Sequence, residues 1–227
     1  PENLRAALRV LSAAGYDVFS PAITEKRPLC CGRTYLSTGL VEKARAEASR
    51  LCDAFAPFVE QGISIVGLEP SCLLALRDEV PALLADDSAR KIAEASLTFE
   101  ELLIRDKPEL PLAQVDGKVL LHGHCHQKAF DVVKPVQALL GDVAGFEVEL
   151  IQTSCCGMAG AFGYGADTYD TSIAMAEANL LPAIRQEDAS TSIIADGTSC
   201  RCQIKDGTGR TAEHVAVLLD RLLVSDS

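Results

Sequence analysis

The sequence predicts an α/β protein of two pseudo-repeated halves, each with a short, mostly parallel sheet flanked by helices. Short apolar runs alternate with stretches of helical periodicity, the pattern expected of strand–helix–strand units. A block arrangement also recurs: Gly15-Tyr16-Asp17-Val18 precedes Cys30-Cys31-Gly32 as Gly145-Phe146-Glu147-Val148 precedes Cys155-Cys156-Gly157. Each Cys-Cys-Gly is followed by a long helical stretch, an apolar run and a Ser-Cys, at Ser71-Cys72 and at Ser199-Cys200. Cys30 and Cys155 lie 125 positions apart, and Cys72 and Cys200 lie 128 apart, so duplication is a better account than chance. The first half is residues 1–107, the linker 108–116 and the second half 117–227.

In chain order, an amphipathic helix over 2–14 leads to a strand at 16–19. A loop containing Pro21 and Pro28 then reaches Cys30. The helix at 40–61 carries Cys52 on its apolar side with Leu51, Phe55 and Val59, where a small buried hydrophobe is the natural reading. A strand at 63–68 delivers Cys72, and helices follow at 72–84 and 90–105. The second half runs strand 118–122, helix 132–140, strand 147–151, helix 167–187, strand 192–195 and helix 211–223. By the offset of the repeat, the counterpart of Cys125 falls at about position 0. The chain opens at Pro1 with no initiator Met, basic n-region or signal-like apolar run, which suggests a cut inside a longer polypeptide.

With 48% hydrophobic residues in 227, there is ample material for a packed core. A formal net charge of -11 opposes binding to nucleic acid phosphates, and no basic stripe with interleaved aromatics is present. No apolar stretch approaches the roughly 20 residues that span a bilayer, so a cytoplasmic protein is expected, with any membrane association made through partners.

Nine cysteines are an odd number, and two of the possible pairs are adjacent in sequence, where a disulfide would be strained. Metal ligation explains them better. All but Cys52 lie just past a predicted strand, and the carboxyl ends of parallel strands form the crevice where ligands bind. The second half has the spacing C-x29-C-C-x43-C-x-C, offering Cys125, Cys155, Cys156, Cys200 and Cys202. A zinc ion closes with four ligands, usually drawn from C-x-x-C pairs, whereas five soft donors suit an iron-sulfur cluster. The first half offers only Cys30, Cys31 and Cys72. That partial site could hold zinc with an outside ligand, hold nothing, or be completed by residues beyond this chain.

The run from Gly157 to Gly165 can either bring backbone N–H groups close to sulfur or serve as a tight loop needing positive φ. It matches neither nucleotide-binding glycine pattern, so flavin or NAD binding by this chain is not expected. His122, His124 and His126 alternate around Gly123 and Cys125. One of them could ligate metal or move protons, although hydrogen bonding at a strand end is the plainer role. His214 reads as structural or solvated.

Five segments together carry a resemblance: Leu29-Cys30-Cys31-Gly32-Arg33, Gly67-Leu68-Glu69-Pro70-Ser71-Cys72, His122-Gly123-His124-Cys125-His126-Gln127-Lys128, Ser154-Cys155-Cys156-Gly157-Met158-Ala159-Gly160 and Ala195-Asp196-Gly197-Thr198-Ser199-Cys200-Arg201. The chain resembles the cysteine-rich CCG domain found in heterodisulfide reductase, in the iron-sulfur component of glycolate oxidase, and at the C-terminus of large FAD-linked oxidases. The resemblance implies a parent oxidoreductase that oxidises a 2-hydroxy acid such as D-lactate, glycolate or D-2-hydroxyglutarate. FAD would lie in a part of the parent absent here. Flavin and ferredoxin-like domains would be the partners, and the iron-sulfur region would pass electrons to an acceptor.

The CCG-bearing component of heterodisulfide reductase binds a noncubane 4Fe-4S cluster through C…CC…CxxC. By resemblance Cys125, Cys155, Cys156, Cys200 and Cys202 would hold one here, with C-x-C standing in place of C-x-x-C. Two other functions stay open: redox chemistry of the cluster itself on a thiol, disulfide or quinone, and a zinc-stabilised interaction domain.

Overall fold

The protein is described by a computed structural model covering residues 2–21 and 27–224. Its elements in chain order are α1 (Glu2–Ala13), α2 (Arg33–Ser37), α3 (Val41–Val59), β1 (Ile65–Gly67), α4 (Pro70–Arg77), α5 (Glu79–Leu84), α6 (Asp87–Ala95), β2 (Ser96–Thr98) and α7 (Phe99–Asp106). They continue with β3 (Lys118–Leu121), α8 (Cys125–Ala129), α9 (Val133–Ala138), β4 (Glu147–Leu150), α10 (Tyr169–Glu177), α11 (Leu180–Gln186), β5 (Ser192–Ile194), α12 (Thr198–Thr208), β6 (Ala212–Glu213) and α13 (Val215–Leu222). The chain forms two compact units: Val18–Leu102, and Pro1–Asp17 with Leu103–Ser227.

In the unit Val18–Leu102, β1 and β2 pair in parallel with Ile65 opposite Ser96 and Gly67 opposite Thr98. Ala44, Ala48, Leu51 and Cys52 recur at helical spacing along α3 and form its buried stripe. They pack with Ile65, Leu73, Leu76, Val80 and Ile92. Cys52 is therefore a core residue, and burial pushes its thiol up to about 11. The same helix buries Glu47, only 3% exposed, which Arg27 and Arg50 neutralise.

The other unit carries a four-stranded parallel sheet of order β4-β3-β5-β6. Leu121 lies opposite both Leu150 and Ile194, and Ile194 lies opposite Glu213. Central β3 is almost wholly buried, whereas edge strand β4 alternates exposed Glu147 and Glu149 with half-buried Val148 and Leu150. Helix α1 belongs here: it packs along α13, and Arg9 grips Asp220 with hydrogen bonds of 2.6 and 2.5 Å. Within this unit α1 buries Ala6, Ala7, Val10 and Leu11.

Several elements differ from the sequence expectation. Residues 16–19 form no strand. The expected helix 90–105 is interrupted by β2, whose three residues are held by pairing to β1, and β6 is likewise a two-residue strand held by β5. The expected helix 72–84 divides at Asp78, and 167–187 divides near Asn179. Helices α2, α8 and α12 add to the expected set, and α12 alters the geometry of the cysteines it carries.

Candidate metal centre

Three neighbouring parallel strands deliver the second-half cysteines to one edge of the sheet. From β3 the chain passes through His122-Gly123-His124 to Cys125 at the start of α8. The loop after β4 carries Cys155 and Cys156, and the turn after β5 leads to Cys200 in the first turn of α12. Backbone ladder bonds extend past the strand ends, with His122 N–H donating to Ile194 O and Ile151 N–H to Leu121 O, at 2.8 and 2.9 Å. That is the strand-end crevice expected of a parallel sheet.

There the sulfurs of Cys125, Cys155, Cys156 and Cys200 form a chain of hydrogen-bonding neighbours. Cys156 and Cys200 are buried, whereas Cys125 and Cys155 are half-buried. Cys155 is pushed down, chiefly because Cys125 and Cys156 donate to it, and Cys125 is pushed up by the same contact and by burial. Cys200 is pushed down by Cys156 foremost, with His122 assisting. Gly157 N–H lies 3.3 Å from Cys155 Sγ, so the glycine run does bring a backbone donor onto sulfur. All nine cysteines are free thiols.

The surrounding residues are held by a buried polar network. His124 caps α8, its Nδ1 accepting from His126 N–H at 3.2 Å, while Gln127 Oε1 accepts from His124 N–H at 3.0 Å. Gln127 also donates to Asp196 Oδ2 at 2.9 Å, and Asp196 Oδ1 accepts from Val215 N–H at 3.1 Å. His214 is a buried cap of α13 that accepts from Ala216 N–H at 3.0 Å, a structural role. Gly197 has no room for a side chain: a Cβ there would lie 2.5 Å from His124 Cδ2 and 3.2 Å from Cys200 Sγ. Lys128 reaches from α8 to the carbonyls of Thr153 and Ser154 just before the vicinal pair, and burial lowers its pKa against the pull of the four nearby cysteines.

His122 behaves differently from the other histidines. It is 1% exposed, and neither ring nitrogen makes a hydrogen bond of good geometry among the described residues, although the Cys200 thiol lies close enough to feel the ring. Its ligand atoms and the sulfurs of Cys156 and Cys200 all lie within 4.8 Å of one another. Four contiguous thiols, a backbone donor on sulfur and an orphaned buried imidazole are a donor set that suits iron-sulfur or another soft-metal site. The residues present fit such a group.

Cys202 is placed apart. Positions i and i+2 of an α-helix project about 200° from each other, so α12 turns Cys202 away from the side occupied by Cys200. Its thiol lies beside the Tyr164 hydroxyl, which it pushes up in pKa. The spacing C-x-C does not show this, because it carries no sign of the helix that contains it.

In the unit Val18–Leu102, Cys31 and Cys72 are hydrogen-bonding neighbours, and that contact holds Cys31 down at about 6. Cys30 and Cys72 are exposed. Among the described residues, the three-donor groups gathered within 4.8 Å do not include Cys30, Cys31 and Cys72. The three lie near one another, since Cys31 and Cys30 both act on the Cys72 thiol.

Residues 119–205 match a known family of cysteine-rich domains. The family matched is that of the CCG cysteine-rich domain. The match runs from β3 into α12 and takes in Cys125, Cys155, Cys156, Cys200 and Cys202, while Cys30, Cys31 and Cys72 lie outside it. Over 98% of its length the chain is 28% identical to a component of the anaerobic glycerol-3-phosphate dehydrogenase of Escherichia coli (strain K12), covering 56% of that polypeptide. D-2-hydroxyglutarate dehydrogenase of the same organism is 28% identical over 83% of this chain and 18% of its own length. Lactate utilization protein A 1 of Bacillus mycoides (strain KBAB4) is 25% identical over 71% of this chain and 66% of that protein. The chain thus spans about half the length of the glycerol-3-phosphate dehydrogenase component. No solved structure matches. No helix among the described residues is long and apolar enough to cross a membrane.

Proposed function

We propose that this chain is an iron-sulfur electron-transfer module of a flavin-dependent dehydrogenase, with a 4Fe-4S cluster held by Cys125, Cys155, Cys156 and Cys200. The observation that carries the reading is the convergence of these four thiols at the ends of three adjacent parallel strands, two of them buried and two half-buried. When bound, such a cluster stores and passes single electrons. The protein's part is to hold the thiols, to shield Cys156 and Cys200 from water, and to place Lys128 where a cation offsets accumulated negative charge.

The named relatives guide the substrate class. D-2-hydroxyglutarate and lactate are 2-hydroxy acids, and glycerol-3-phosphate widens the class to secondary alcohols. Flavin and ferredoxin-like domains would be the electron donors to this chain, in the cytoplasm. The oxidation of substrate takes place elsewhere in the parent assembly.

Anaerobic reconstitution of the whole chain with ferrous iron and sulfide, followed by metal analysis and EPR, tests the reading. About four irons per chain with a cluster signal supports it. Zinc at full occupancy with no iron taken up would sink it and favour an interaction domain.

A further inference from the structure

We propose that His122 is a fifth donor to this centre, and that Cys202 is not a ligand. The inference rests on the cluster reading above and adds one residue to it. The His122 backbone is fixed, since its N–H continues the sheet ladder to Ile194 O. Gly123 next to it has no space for a Cβ, which would come within 2.9 Å of Val133 Cγ2, so the segment is tightly packed. A buried imidazole left without a hydrogen-bond partner is unfavourable, and coordination would remove that cost.

The two nearest soft donors point the same way, because the sulfurs of Cys156 and Cys200 already lie within 4.8 Å of the ring. His124 and His214 each spend Nδ1 on a helix cap, of α8 and α13 respectively. The Cys202 thiol lies beside the Tyr164 hydroxyl. A neutral imidazole in place of a fifth thiolate also leaves the centre less negative. In Rieske-type iron-sulfur centres, where histidine replaces cysteine as a ligand, the potential is raised.

The test uses the whole chain, labelled with 15N-histidine and loaded anaerobically with ferrous iron and sulfide. Pulsed EPR should detect a strongly coupled nitrogen in the wild type that responds to the label. The coupling should vanish in His122→Ala and His122→Cys and persist in His126→Ala. His122→Cys should shift the midpoint potential downward, and Cys202→Ala should keep its full iron content.

A cluster without histidine nitrogen coupling would overturn the assignment, as would coupling that survives both His122 substitutions or loss of iron in Cys202→Ala. The labelled wild type needs no substitution, so poor folding of a variant does not block the answer. Failure of the wild type to take up any cluster would instead overturn the functional reading itself, and this inference with it.

Discussion

In the unit Val18–Leu102, Gly32 sits at φ +78° so close to α3 that an added Cβ would lie 2.8 Å from the Ala44 carbonyl oxygen. In the other unit Gly157, at φ +88°, would place a Cβ 2.1 Å from the carbonyl of Ser172 on α10. Both glycines direct their N–H at the first sulfur of the vicinal pair, at 3.5 Å to Cys30 and 3.3 Å to Cys155. A cation steadies the approach in each case. Arg50 donates to the carbonyls of Arg27 and Pro28 ahead of Cys30, and Lys128 to those of Thr153 and Ser154 ahead of Cys155.

The next cysteine is also placed alike, in the first turn of a helix after a strand, as Cys72 in α4 and Cys200 in α12. What differs is the sheet. Among the described residues, two strands stand in the first unit against four in the second, and β3 with its exit segment supplies Cys125 and His122. The comparison teaches that a local motif can be duplicated faithfully while a complete donor set depends on how many strands end beside it.

Removing a thiol from each unit should break the comparison most strongly. Cys200→Ser should lower iron and sulfide content about tenfold or more, whereas Cys72→Ser should leave both unchanged. Equal losses would mean that the two units share the metal chemistry.

The glycines come next. Gly157→Ala should cost about 3 kcal/mol in chemical denaturation, from a left-handed backbone and a severe clash. Gly32→Ala should cost about 1–2 kcal/mol, as its overlap is milder.

Glu47 sharpens the contrast in scaffolding. Burial alone would raise its pKa, but Arg27 and Arg50 outweigh that and hold the carboxyl below its ordinary value. Its contribution is therefore complete above the ordinary glutamate pKa of about 4.3 and is lost as pH falls through the lower folded value. Glu47→Gln should cost about 1–3 kcal/mol near neutrality, and the gap to wild type in denaturation midpoint should narrow in acid. The smallest effect belongs to Cys52→Ala, about 1 kcal/mol for a small core cavity, with no change in metal content.

Much of this was legible in the sequence. Continuous apolar runs marked β3 and β5, and the alternation Glu-Val-Glu-Leu marked β4. The period of Ala44, Ala48, Leu51 and Cys52 marked the buried side of α3. Strands β2 and β6 were not legible, since Ser-Leu-Thr and Ala-Glu carry no apolar run and are held extended by pairing with β1 and β5. Nor was the attachment of α1 to α13, which rests on packing and on the Arg9–Asp220 pair across most of the chain.

At the site the division is sharper. Residue types and spacing by themselves determined that this chain gathers soft donors, and that Cys125, Cys155, Cys156 and Cys200 lie near strand ends. Only the tertiary structure decided which donors face one another. It formed α12 around the C-x-C pair and so separated Cys200 from Cys202, because a helix advances about 100° per residue. It also buried His122 against two sulfurs while assigning His124 and His214 to helix caps. A side chain's direction follows from backbone conformation and neighbours, and neither is written in the spacing of cysteines.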